Sequence, residues 1–326
     1  MDDYTAIREG AAIAPGESRA RIAVSGPDRA SYLQGLLTND IQALTAGTGC
    51  YAAWLTPQGR MIADLHVLES GDMMLLDVPA PLRETLLQRL DQFLFSENVQ
   101  LGDLSDALRQ AAVHGPMAPG VLERTLNGAA GLASWPQYRN ARVEFEGSPA
   151  VIARIDQVGV PGFVVYFDAA READLVAALE RAGARRVGAD ALETARVEAG
   201  YPLYGIDMDE DIIPLEAGIE PRAISFTKGC YVGQEVIIRV LHRGHGRVAR
   251  RLVGLRLRDG TTPSRRARIH AGGRDVGFVT SAARSPRFGA IALAYVHRDF
   301  VEPGSAVEVE TGNGRTAAVV SALPFA

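Results

Sequence analysis

Lysine is almost missing from this chain: Lys228 stands alone, and the other 33 basic residues are arginine. Cysteine is nearly as scarce. Cys50 and Cys230 lie far apart, which excludes a disulfide framework and leaves too few thiolates for an iron–sulfur cluster, normally about four. The opening MDDYTAIREG is acidic where a targeting peptide is basic, so a reduced pair of thiols is expected. Long apolar runs are absent too, and nothing approaches the ~18 residues of a membrane span. These absences read as a soluble, cytoplasmic protein with no membrane partner. The Arg-rich C-terminal stretch has no interleaved aromatics, which disfavours a nucleic-acid partner.

What is present is ordinary in bulk, with 47% hydrophobic and 22% charged residues over 326 positions. That length predicts two or three domains. The net charge of −5 hides an asymmetry, because 239–326 carry 15 Arg against 6 acids while the rest is strongly acidic. Intramolecular complementarity between the two parts is the simplest reading.

Periodicity separates three regions. RIAVSG (21–26) reads as a strand, and Pro27 opens a helix with Ala30, Leu33 and Leu37 on one face. TGCYAAWLT and MIADLHVLE read as strands joined by PQGR, and MMLLDVPA follows as a third. Leu82, Leu86, Leu90 and Leu94 then mark an amphipathic helix. A second mixed unit has strands near 150–155 and 162–167 and a helix over 170–183. In the next helix, 191–199, Asp190 and Glu193 match a capping box and Gly200 supplies the stop. After Arg247 short strands alternate with turns, and Gly312-Asn313-Gly314 marks a hairpin. The expectation is an α+β chain: an α/β domain over 1–115, a second over 116–242, and a C-terminal antiparallel β-barrel over 243–326.

The candidate chemistry gathers in FTKGCYVGQE (226–235). Cys230 lies two residues after Lys228, whose ammonium is placed to stabilise a thiolate. Gly229 and Gly233 permit close approach of the backbone. A buried structural cysteine, a Cys230 dyad with His242 or His245, and a zinc set lacking a fourth ligand are the competing readings. On MIADLHV, alternation puts Ile62, Asp64 and His66 on one face and Ala63, Leu65 and Val67 on the other. An acid there also fits a solvated face. Glu198 sits in the last turn of its helix, where the macrodipole disfavours a carboxylate unless N–H donors meet it.

ETARVEAGYPLYGIDMDEDIIPLEAG followed by FTKGCYVGQEVIIRV resembles the YgfZ folate-binding family, relatives of the glycine-cleavage T-protein. YLQGLLTNDI and GRMIADLHV extend the likeness, and the run Lys228, Gly229, Cys230, Tyr231, Gly233, Gln234, Glu235 carries its specific part. The resemblance implies two α/β domains and a barrel set as a ring around a channel that binds tetrahydrofolate. It also implies an accessory role in assembly or repair of iron–sulfur enzymes, with iron–sulfur clients or assembly proteins as partners. Implied folate contacts are Glu198, Asp64, Tyr51 and Arg239, with Cys230, Lys228 and Asp64 as the reactive groups facing the channel. The alternative is a folate-dependent aminomethyltransferase or demethylase. Against it, Ala63 stands where T-proteins carry the first of two acids, and Pro79 where they carry asparagine.

Overall fold

A computed structural model describes residues 1–14, 19–242 and 246–326. The chain builds one antiparallel sheet, a second sheet that is antiparallel except for the parallel pair Ala12–Ile13 and Arg185–Arg186, and a closed barrel. The first sheet has the order Gly49–Leu55, Met61–Glu69, Met73–Pro79, Arg19–Ser25, Gln100–Asp103. Every pair in it is antiparallel; hairpins join the first three strands, and Arg19–Ser25 is placed between Met73–Pro79 and Gln100–Asp103 by longer connections. One face takes helices Arg29–Leu36 and Arg83–Gln92, which bury Leu33, Leu36, Leu86 and Leu90 against Ala63, Leu65 and Val67.

The second sheet runs Arg185–Arg186, Ala12–Ile13, Leu108–His114, Gly162–Asp168, Ser148–Arg154, Asn140–Phe145. Helices Ala118–Thr125 and Glu172–Arg181 cover one of its faces. Leu108–His114 belongs to this sheet although it precedes residue 115, and Ala12–Ile13 joins it from the N-terminus. The expected division at 115 therefore falls inside a unit threaded by both ends of the preceding segment. Leu68 and Leu75 of the first sheet pack on Ala153, Ile155, Val164 and Tyr166 of the second, so the helix-free faces meet.

Six strands from Arg250–Leu257 to Gly314–Ser321 close the barrel. Closure leaves no unpaired edge and fills the interior with Val, Leu, Ile and Ala. The Gly312-Asn313-Gly314 hairpin forms as expected, with Thr311 paired to Gly314. Helix Ala189–Ala199 ends at Gly200, whose φ of 67° gives the left-handed stop. Its start corrects the capping box: Gly188 is the N-cap, no side chain caps it, and Glu193 pairs with Arg196. Among the described residues no helix is long and apolar enough to cross a membrane. Cys50 and Cys230 are both free thiols.

Candidate functional site

Where the helix-free faces of the two sheets diverge they enclose a cavity of about 290 Å³. The first sheet contributes Arg19, Tyr51, Asp64, His66 and Asp77, and the second contributes Ala112, His114, Ile155 and Val164. Tyr138, Glu193, Arg196, Tyr201 and Arg222 complete the wall. Strand alternation explains this choice: Asp64 and His66 face the cavity, while Ala63, Leu65 and Val67 face the helices. Ala63 is fully buried on that opposite side. Alanine at 63 thus removes no carboxylate from the cavity, so the missing first acid does not count against chemistry there. Pro79, paired with Arg19 at a strand end, also lies outside the lining.

The cavity's acids are tightly organised. Tyr51 Oη donates to Asp64 Oδ2 at 2.9 Å, and Arg19 Nη1 lies 3.5 Å from Asp64 Oδ1. Arg19 Nε pairs with Asp77, and its Nη2 donates to the Asp77 carbonyl at 2.6 Å. Tyr166 Oη donates to the other Asp77 oxygen. Burial pushes the Asp77 carboxyl up, but the Arg19 charge, the nearby His66 ring and the Tyr166 hydroxyl together hold it well below the usual carboxylate range. One guanidinium therefore serves two buried carboxylates. The Arg222 guanidinium lies over the rings of Tyr51 and Tyr201, at 5.2 and 4.3 Å from their centroids.

His114 stands on the opposite wall. It is buried, and its Nδ1 has no hydrogen-bond partner among the described residues. Its strand partner Gly162 leaves no room for more than hydrogen, since a Cβ there would lie 2.7 Å from that nitrogen. Burial pulls the imidazole down to about 4, against the opposing pull of Asp156. From pH 6.5 towards 4 the unfolded chain binds a proton that the folded chain refuses, so stability falls as pH falls. The loss reaches roughly 3 kcal/mol. In His114→Gln the slope of unfolding free energy against pH is expected to flatten over that window, as read by urea denaturation.

Of the expected site residues, the structure brings Tyr51 and Asp64 together and leaves the others elsewhere. Glu198 is buried outside the cavity lining. Both its oxygens accept from Tyr4 Oη at 2.9 Å, and Arg8 and Ser285 complete its shell. The macrodipole penalty is offset by this arginine, and the carboxylate ties the N-terminal helix Asp3–Glu9 to the barrel strand that carries Ser285. Glu193, earlier on the same helix, is the acid that reaches the cavity. Arg239 is exposed on helix Gln234–His242, as is His242 at its end. His245 lies outside the described residues.

The KGCYVGQE run forms a structural clasp. Lys228 Nζ donates to the carbonyls of Gln34 and Leu37 at 2.6 Å and of Asn39 at 2.9 Å. These close the C-terminal end of helix Arg29–Leu36, whose last carbonyls have no helical donor. Three acceptors converging on one point suit a compact ammonium with three donors; a planar guanidinium cannot serve them. Lys228 also faces the wrong thiol for the expected role: its charge acts on buried Cys50, which burial nonetheless pushes up to about 12. Gly233, at φ +84°, packs where a Cβ would lie 2.5 Å from the Thr56 carbonyl. Tyr231 is buried beside the Lys228 ammonium, whereas Gly229, Cys230 and Glu235 are exposed and Gln234 opens the helix. Cys230 is thus at the surface and outside the cavity lining, while its neighbour Tyr231 turns inward.

Arg19, His66, Asp77, His114 and Arg222 were missed as cavity residues. Asp77, a lone acid in the apolar run MMLLDVP, carried a readable signal. Arg19 and His114 carried none, since their positions depend on strand pairing.

The model of the GCVT N-terminal domain matches residues 1–228, and that of the glycine cleavage T-protein C-terminal barrel domain matches 250–326. The chain is 32% identical over 331 residues to the aminomethyltransferase of Moorella thermoacetica, covering 100% of this chain and 89% of that one. It is 30% identical over 333 residues to the aminomethyltransferase of Geobacillus sp. (strain WCH70), covering 99% and 89%. The crystal structure of the glycine cleavage system aminomethyltransferase T from Bartonella henselae superposes with a TM-score of 0.88 at 24% identity, over 99% of this chain and 88% of that one, and shows the same fold.

Proposed function

The chain belongs to the glycine-cleavage T-protein family, and we propose that it binds tetrahydrofolate in the cavity between its two sheets and acts as a folate-dependent aminomethyltransferase-type enzyme. The observation that carries this reading is Asp64: a buried carboxylate on the cavity wall, fixed by Tyr51 and Arg19, with Ala63 turned to the core. The cavity suits a flat heterocycle rich in N–H groups. Tyr51, His66 and Tyr138 offer ring surfaces, Asp64 and Asp77 offer acceptors, and the unpartnered His114 Nδ1 calls for a ligand.

Tetrahydrofolate supplies amine nitrogens that take up the transferred carbon. The chain's own part is to hold Asp64 where it accepts a hydrogen bond from, and stabilises positive charge on, the reacting amine. Tyr51 restricts the rotation of that carboxylate, and Arg19 fixes its spacing from Asp77. A second cavity of about 480 Å³ at the barrel shares Tyr201 and Arg222 with the first, so the donor would approach from across the Arg222 partition.

A second reading, accessory factor for iron–sulfur enzymes, is favoured by one observation: Cys230 is exposed outside the cavity, accessible to another protein. The names of the relatives support the first reading. Titration with tetrahydrofolate, followed by assay of ammonia release from an aminomethyl donor, separates the two. Wild type and Cys230→Ser are both expected to bind folate equally and to release ammonia. Binding without turnover favours the accessory reading, and no binding by wild type ends both.

A further inference from the structure

His66 belongs to a row that crosses the first sheet. Its cross-strand neighbours are Tyr51 and Asp77, so three successive strands set a phenol, an imidazole and a carboxylate side by side on the cavity wall. The imidazole is 3% exposed, and its Nδ1 has no hydrogen-bond partner among the described residues. That nitrogen lies 3.9 Å from Asp77 Oδ1, too long for a hydrogen bond yet facing a fixed anion. Arg19 and Tyr166 hold Asp77, and the rings of Tyr51 and Tyr138 flank the imidazole at 5.5 and 5.9 Å.

We propose that His66, oriented by Asp77, is the base of this cavity and takes the proton that a folate amine loses when its nitrogen gains the transferred carbon. This rests on the folate reading and adds to it the residue that moves the proton. The N–H bond breaks as the N–C bond forms, and the donor's leaving group departs with the electron pair of its bond to that carbon. The imidazolium then returns the proton to the leaving group, so the step needs no oxidant or reductant.

An anionic Asp77 beside Nδ1 selects the tautomer with its proton there and leaves Nε2 as the acceptor. Charged or titratable groups facing the ring are Asp64 on its own strand, Tyr51, Asp77 and Arg19 on neighbouring strands, and Tyr138 from the second unit. Burial lowers the imidazole's pKa, Asp77 opposes this, Arg19 adds to it and Asp64 opposes it; the net shift is downward. The ring is therefore neutral near pH 7 and can accept.

Nitrogen-15 NMR of the wild-type protein tests the geometry without any variant. The expected result is a neutral His66 protonated on Nδ1, titrating below 6.5, with Nε2 shifting when tetrahydrofolate is added. An Nε2-protonated tautomer, or folate binding that leaves Nε2 unmoved, overturns the proposal while the folate reading stands. Absence of folate binding overturns both. In kinetics, His66→Gln is expected to lower kcat about 100-fold, leave KM near its wild-type value and abolish the acid limb of the kcat profile. A rise in KM with kcat unchanged would mark a merely structural role and sink the idea.

Discussion

Lys228→Met is expected to destabilise the protein by roughly 3–5 kcal/mol, since three charge-assisted hydrogen bonds disappear together and three partly buried carbonyls lose their donor. Methionine keeps the length and the contact with Tyr231, so the loss isolates the ammonium. Lys228→Arg is expected to recover little, because the planar fork cannot place three donors on Gln34, Leu37 and Asn39 at once. Urea denaturation measures both variants. If Lys228→Arg matches wild type, positive charge alone is what the site requires, and the converging geometry has been overvalued. Folate affinity of Lys228→Met, measured where it remains folded, is expected to stay near wild type, because Lys228 lies outside the cavity lining.

Asp64→Asn carries the largest functional effect. Asparagine keeps an oxygen for Tyr51, and Arg19 retains Asp77, so the fold is expected to persist. What vanishes is a negative charge in a buried cavity, where charge is poorly screened. Ammonia release is expected to fall by about 100-fold or more in kcat/KM, with a much smaller change in folate affinity. Equal turnover in wild type and Asp64→Asn would remove Asp64 from the chemistry. Ala63→Asp serves as the complementary test: its side chain points into the apolar layer under the helices, so it is expected to destabilise the protein without raising activity.

Much of the architecture was legible because it follows local rules. Period-two runs such as MIADLHVLE gave strands and their facing, Leu82 to Leu94 gave a helix, and Gly200 gave its end. The strand Leu108–His114 escaped, since LRQAAVH lacks clean alternation and is fixed by its neighbours Ala12–Ile13 and Gly162–Asp168. Asp64 was legible from its place in a strand. Glu198 was legible only as a carboxylate that needs donors at a helix C-terminus, and the structure shows Tyr4, Arg8 and Ser285 among them.

The lysine shows the division most clearly. Composition by itself established that one position in 326 kept an ammonium where arginine served everywhere else. Sequence proximity suggested Cys230 as the partner. Only the tertiary structure decided that Lys228 closes the helix Arg29–Leu36 almost two hundred residues earlier, leaving Cys230 at the surface. It also decided that Tyr51, His66 and Asp77 share one row, because register is a property of paired strands and no single strand encodes its partner.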